Sequence, residues 1–481
     1  MIGLALLTAC VMAVAPPARA PLDSLYRPTA ERLIGAALAS DHAYLRLSQL
    51  CDGIGHRLSG SPELDRAIAW AANAMREDRL ERVRLQPVMV PRWVRGAEHA
   101  EMVEPGPQAL AMMGLGRSVG TPPGGITADV VGVGSFAELD SLPDAAVRGK
   151  IVLWDVPFTK YSETVRYRTA GTNRAAARGA VASLVRTVGP ASLRSPHTGS
   201  TGTYVDSLPK IPAAAVSIED AVMMRRLMAR GERVRVHVEM GASTLPDVLS
   251  HNVMGEIRGR ERPDEVVVVG GHIDSWDVGR GAQDDGGGCV ISMEALRLIR
   301  QLGLRPRRTL RCALWTNEEN GARGAQAYAE SLGAFVGRHV AAVESDGGVE
   351  RAVGFNFGAF RLGTDSTDAP RAARATARAR EIGRLLEGLG AGQIGLDGGG
   401  TDIAPLMKKG VLGVEHRTTM EHYFDWHHSQ ADTPDKVDPV ELRKNVAALA
   451  VMVYVLADMP EPLAPPPPAA TATAAAPART R

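Results

Sequence analysis

From residue 252 onward the chain repeats one alternation: a short apolar run, a polar or Gly-rich loop, then a segment with apolar residues three and four apart. "EVVVVGGHID" leads to "GGGCVISMEALRLIRQLG", "RTLRCALWTNEEN" to "ARGAQAYAESLG", and "HVAAVESDGG" to "PRAARATARAREIGRLLEGLG". A further strand, "GVLGVEHR", and a last helix over about residues 439–457 complete the series. Continuous apolar runs suit strands covered on both faces, and their alternation with helices argues an α/β fold with a mostly parallel central sheet flanked by helices. In such sheets ligands bind beyond the carboxyl ends of the strands, so the loops after each run are where chemistry is expected.

The rest of the chain divides around this unit. Residues 30–84 read as helical, broken once by the Gly/Ser/Pro stretch "CDGIGHRLSGSPE". Between residues 113 and 245, short β-branched runs such as "ADVVGVG" and "RVRVHVEM" alternate with Gly/Pro turns and a helix or two, which predicts a compact β-rich insert without clustered His, Asp or Glu. The expected organisation is a signal segment over 1–20, a catalytic domain in two parts over 21–112 and 246–459, the insert over 113–245, and a disordered Pro/Ala-rich tail over 460–481.

The first 20 residues are a short apolar stretch followed by Ala18-Arg19-Ala20, a small-residue cleavage pattern. Export to a secreted or periplasmic location follows, with cleavage after Ala20. "LTAC" leaves a lipid anchor at Cys10 as the alternative. The run falls short of the ~20 residues a membrane span needs. Cleavage would leave Cys51, Cys289 and Cys312, an odd number with no CxxC spacing, so a disulfide framework is not expected. Net charge is +1 and aromatics are 4%, a balance that gives no sign of a nucleic-acid partner.

Four strand exits carry carboxylates or imidazoles. After residues 266–269 come His272 and Asp274, then Asp284 and Asp285. After "LRCALW" come Glu318 and Glu319. After "HVAAV" come Glu344 and Asp346. "DWHHSQADTPD" brings His427 and His428. One such exit means little; four at one sheet edge predict a binuclear metal site. His272, Asp284, Glu319, Asp346 and His428 supply two imidazoles and three carboxylates, a donor set that zinc accepts. That is enough for one bridging carboxylate plus two further ligands per ion.

The set "GGHIDSWD…DDGGG…WTNEENG…ESDGG…HHSQADT" resembles the co-catalytic zinc exopeptidases of the aminopeptidase Y and carboxypeptidase Q type, over roughly residues 30–455. The resemblance implies two zinc ions per chain, a protease-associated domain as the insert, short peptide substrates, and a homodimer. Residue by residue, it implies that His272 and Asp346 bind one zinc, Glu319 and His428 the other, and Asp284 both. Glu318 would be the general base. Asp274 would hydrogen-bond His272, and Asp285 would support the loop backbone. His427 stands where several members carry a Tyr that stabilises the oxyanion, and it is either catalytic or simply exposed. "GGGTD", residues 398–402, resembles a substrate loop that would hold peptide backbone or a carboxylate. His416, after a strand exit, is at most a pocket residue. Two rivals on this fold are a single-zinc glutaminyl cyclase and a receptor that has lost its ligands.

Overall fold

The computed structural model describes residues 20–358 and 369–464. The expected signal segment with Cys10, and all of the tail beyond residue 464, lie outside the described residues. The core is an eight-stranded mixed sheet. Its order is Glu81–Val94, Ser243–Ile257, Arg308–Trp315, Arg262–His272, His339–Glu344, Gly413–Thr418, Ala352–Phe357 and Gln393–Gly395. The four strands from Arg308–Trp315 to Gly413–Thr418 run parallel, and both flanks add antiparallel pairs.

The apolar runs become strands because both faces are covered. Val267, Val268 and Val269 are fully buried, as are Leu310, Cys312 and Leu314 on the neighbouring strand. Burying a side chain of this kind contributes about 1.5–3 kcal/mol each, which favours the centre of the sheet for these segments. The helix Gly287–Gln301 packs on Arg262–His272 and on the C-terminal helix Pro439–Asp458, which in turn meets Leu22–Leu38. Cys51, Cys289 and Cys312 are buried free thiols. No helix among the described residues is long and apolar enough to cross a membrane.

Two boundaries differ from the sequence reading. The N-terminal helical stretch ends at Glu77, capped by Ser61 at its start, and Glu81–Val94 is a fourteen-residue strand. The second sheet begins at Glu98, fifteen residues before residue 113, and the strand Ser243–Ile257 runs through the expected boundary at 245 within the core sheet. The reason lies in the composition of these strands. "ERVRLQ" and "EHAEMVE" alternate charge with apolar residues, because each has one exposed face. They pair with Ser243–Ile257 and Arg235–Met240, partners about 150 residues away in sequence. The second sheet has the order Gln108–Ala109, Glu98–Glu104, Arg235–Met240, Ile126–Val133, Ile151–Trp154, Ala182–Arg186, Ala213–Val216, Met112–Gly114. Its own centre is parallel, and five helical segments accompany it, so it is more α/β in character than the expected β-rich module.

Candidate metal centre

The strand exits converge on one carboxylate. Asp284 Oδ1 lies 3.2 Å from His272 Nε2, and Asp284 Oδ2 lies 3.2 Å from His428 Nε2. Around the first oxygen, His272 Nε2 is also 3.4 Å from Asp346 Oδ1. Around the second, His428 Nε2 is 3.1 Å from Glu319 Oε2. Two groups able to hold a metal ion thus share Asp284: His272, Asp284 and Asp346 on one side, Asp284, His427 and His428 on the other. All five candidate ligands are together, and Glu318 neighbours them with its side chain making no hydrogen bond to a described residue.

The loop that carries Asp284 is fixed from three directions. Asp432 accepts backbone N–H bonds from Ala282 (3.0 Å), Gln283 (2.7 Å) and Asp284 (3.2 Å). Arg57, fully buried, donates to the carbonyls of Ile273, Arg280 and Gly281. Asp285 accepts from the amides of His272 and Gly288, each at 3.0 Å, which ties the loop to the strand end and to the following helix. Gly271 makes this contact possible, since a Cβ there would come 1.9 Å from Asp285 Oδ2. Asp432 and Arg57 were not singled out from sequence. Asp432 stands inside the histidine motif and Arg57 follows a Gly-His pair, but neither position announces a partner some 150 or 220 residues away.

Asp274 meets His272 through its backbone and the glutamate loop through its carboxylate. His272 Nδ1 is 3.0 Å from the Asp274 backbone carbonyl, and 3.8 Å from the nearer carboxylate oxygen. A carbonyl only accepts, so it holds the proton on Nδ1 and leaves Nε2 facing Asp284 and Asp346. The Asp274 carboxylate instead accepts from the amides of Glu318 (3.1 Å) and Glu319 (3.4 Å), and so orients the adjacent glutamates. Asp277 pairs with Arg95 at 2.8 and 2.5 Å, away from the centre.

His427 is buried, not exposed. Its ring stacks on His428 with centroids 3.6 Å apart, and its Nε2 lies 3.4 Å from Asp284 Oδ2. The sequence order "HH" therefore brings both imidazoles to one carboxylate oxygen. His416 sits elsewhere, its Nδ1 3.0 Å from Ser345 Oγ. The "GGGTD" loop borders a cavity of about 300 Å³ lined by Glu344, Asp346, Glu415 and glycines 347, 399 and 400. Burial pushes Glu344 on its border up to about 8, and Asp346 there faces His272.

The electrostatics describe a centre short of positive charge. Burial alone would raise Asp284, but its bonds to His272 and His428 hold it well below the usual carboxylate range. Burial would lower His428, but Glu319 and Asp284 raise it to about 10. His272 is likewise driven well above its ordinary value by Asp346 and Asp284, against the effect of burial. Burial raises Glu319 to about 8 and Asp346 to about 6. Protons on the imidazoles are the cations that balance this carboxylate cluster, and divalent ions can take their place.

A family model described as peptidase family M28 matches residues 252–453. Carboxypeptidase Q of Mus musculus is 44% identical over 441 residues, covering 91% of this chain and 91% of that protein. A crystal structure of a peptidase M28 precursor from Shewanella amazonensis SB2B matches with a TM-score of 0.86 at 32% identity, over 93% of this chain and 100% of that one. A zinc aminopeptidase from Bacillus subtilis shares the fold, with a TM-score of 0.65 at 21% identity over 88% and 97% of the two chains.

Proposed function

Since this chain belongs to peptidase family M28, we propose that its shared-carboxylate centre holds two zinc ions and removes terminal residues from short peptides, as an aminopeptidase or dipeptidase. The observation that carries this reading is Asp284, whose two oxygens each face a separate imidazole and carboxylate set. The donor set fits: imidazole nitrogen and carboxylate oxygen are zinc ligands, and three carboxylates against two dications leave a small net charge. His272, Asp284 and Asp346 would hold one ion, and Asp284, Glu319 and His428 the other. His427, at 3.4 Å from the shared carboxylate, stands beside the second set.

When bound, the ions polarise the scissile carbonyl and lower the pKa of the attacking water. The residues supply the rest. Glu318 takes a proton from that water, the new C–O bond forms as the C–N bond breaks, and Glu318 returns the proton to the leaving amine. Asp274 keeps Glu318 directed at the reacting atoms through its bond to the Glu318 amide. The free amine of the substrate would sit against the carboxylates beside the centre, with Glu415 bordering the adjoining cavity. This favours a substrate read from its amino end. The inserted sheet, taken as a protease-associated domain, covers the His427–His428 side. The N-terminal stretch directs export, and the protein works as a homodimer.

The test is a panel of dipeptides and aminoacyl substrates, assayed with and without chelator, alongside metal analysis. Two zinc ions per chain and chelator-sensitive release of N-terminal residues are expected. A single ion with cyclisation of N-terminal glutamine would replace the reading by the glutaminyl cyclase one.

A further inference from the structure

His428 and His272 face Asp284 in the same way through Nε2, but their other ring nitrogens meet opposite chemistry. His272 Nδ1 has a carbonyl oxygen at 3.0 Å. His428 Nδ1 has the guanidinium of Arg168, with Nη1 at 3.4 Å. A guanidinium only donates. Binding at Nε2 requires a proton on Nδ1, and that proton then points at a fixed cation.

Arg168 belongs to the inserted domain, on the helix Tyr161–Thr169. It is 5% exposed and forms no ion pair with a described residue. Its Nη1 donates to the Thr198 carbonyl at 3.0 Å and its Nη2 to Tyr161 Oη at 2.8 Å, while Nε has no partner. A buried arginine without a carboxylate costs free energy, so the surroundings must hold it in place. They do: a Cβ at Gly199 would come 2.3 Å from the guanidinium, so the position, at φ +122°, lets the loop close over it. The same loop donates the Thr198 amide to the His428 carbonyl at 2.8 Å. Tyr161 stacks on Phe424 and meets the His427 ring edge-on, 5.1 Å between centroids. The insert thus grips the second imidazole by its backbone and faces its ring with a charge.

We propose that Arg168 is a positioning residue through which the inserted domain weakens metal binding at the His428–Glu319 position. The two positions are then unequal by construction: the His272 side fills first, and the His428 side is the exchangeable one. Because coupling is reciprocal, an ion at His428 loosens the hold of the insert on this loop to the same degree. The inference rests on the two-metal reading.

The experiment titrates metal-free, full-length protein with zinc against a chromogenic chelator. Wild type is expected to show two unequal equivalents. Arg168→Met should strengthen the weaker one by about tenfold to a hundredfold, the usual reach of groups that act on a ligand through its second nitrogen, and leave the stronger one unmoved. Arg168→Lys, which keeps the charge, should stay near wild type. Tyr161→Phe, which frees Nη2 without emptying the site, should give a smaller gain in the same direction and serves if Arg168→Met does not fold. A weaker equivalent that is unchanged or weakened further in Arg168→Met or Tyr161→Phe overturns the proposal, as does Arg168→Lys behaving like Arg168→Met. Wild type binding a single equivalent breaks the two-metal reading itself.

Discussion

The two ends of Asp284 are built from different parts of the molecule. Toward His272, every group comes from the core sheet: His272 ends one strand, Asp346 follows the next, and the Asp274 carbonyl fixes the ring. Toward His428, the imidazole sits on a loop in a left-handed conformation (φ 61°) and is held by Thr198 and Arg168 from the inserted domain. One end rests on the sheet that carries it, the other on a contact between the two sheets.

The strongest way to break this comparison is to remove the group both ends share. Asp284→Ala should abolish uptake of both metal ions and all peptidase activity, whereas His272→Ala and His428→Ala should each leave one position able to bind; metal analysis after dialysis reads the difference. Glu318→Ala should cost about 10²–10⁴ in kcat, the range of a lost general base, with both ions retained. Full activity in that variant would remove Glu318 from the mechanism. Asp274→Ala leaves the amides of Glu318 and Glu319 without their acceptor. It should cost about 10–100-fold in activity, and it should act on the glutamate loop more than on His272, whose partner is a backbone carbonyl. Asp432→Ala should lower stability by about 1–3 kcal/mol through buried amides left unpaired, measured by denaturant unfolding of the metal-free protein.

A pH titration sharpens the contrast more gently. In the metal-free protein His428 is raised to about 10 by Glu319 and Asp284 against the effect of burial. A raised histidine contributes stability that is fully present below its ordinary value near 6.5 and is lost as pH climbs through about 10. The melting temperature of metal-free protein should therefore fall between pH 7 and 10. Metal must displace the same protons, so zinc uptake at pH 7 should release protons and its affinity should rise over that interval. Calorimetry in buffers of different ionisation enthalpy measures the release.

The core sheet and its ligands were legible because they obey local rules. Strands buried on both faces are continuous apolar runs, and the residues just past them are the ones an α/β sheet exposes to a ligand; that rule brings out the Asp284–Asp285, Glu318–Glu319 and His427–His428 pairs together with His272 and Asp346, while the choice within each pair came from the resemblance. What supports them was not legible. Arg57 and Asp432 act by hydrogen bonds to backbone groups far along the chain, and backbone groups carry no sequence mark. Asp274 showed its importance but not its role, since whether its carbonyl or its carboxylate meets His272 depends on the path of the loop and not on the residue type. The strands Glu81–Val94 and Glu98–Glu104 were hidden by their exposed faces, which dress them in the charges of a surface helix. Arg168 stood in a segment without a cluster of chemical residues, and only the docking of the two sheets gives it a neighbour.

Val94 pairs with Ser243, and two residues further in, a Cβ at Gly96 would come 2.6 Å from the Gly241 carbonyl oxygen. The chain therefore leaves the core sheet and returns to it at one point. To the core, the whole second sheet is the loop of a single β-hairpin. Such an excursion can be shortened, exchanged or lost in the history of a lineage without rethreading the fold, because the strands that frame it already hold each other. What goes with it is the backing of one imidazole. A chain that trades its insert keeps its sheet and changes what stands behind His428 in the same event.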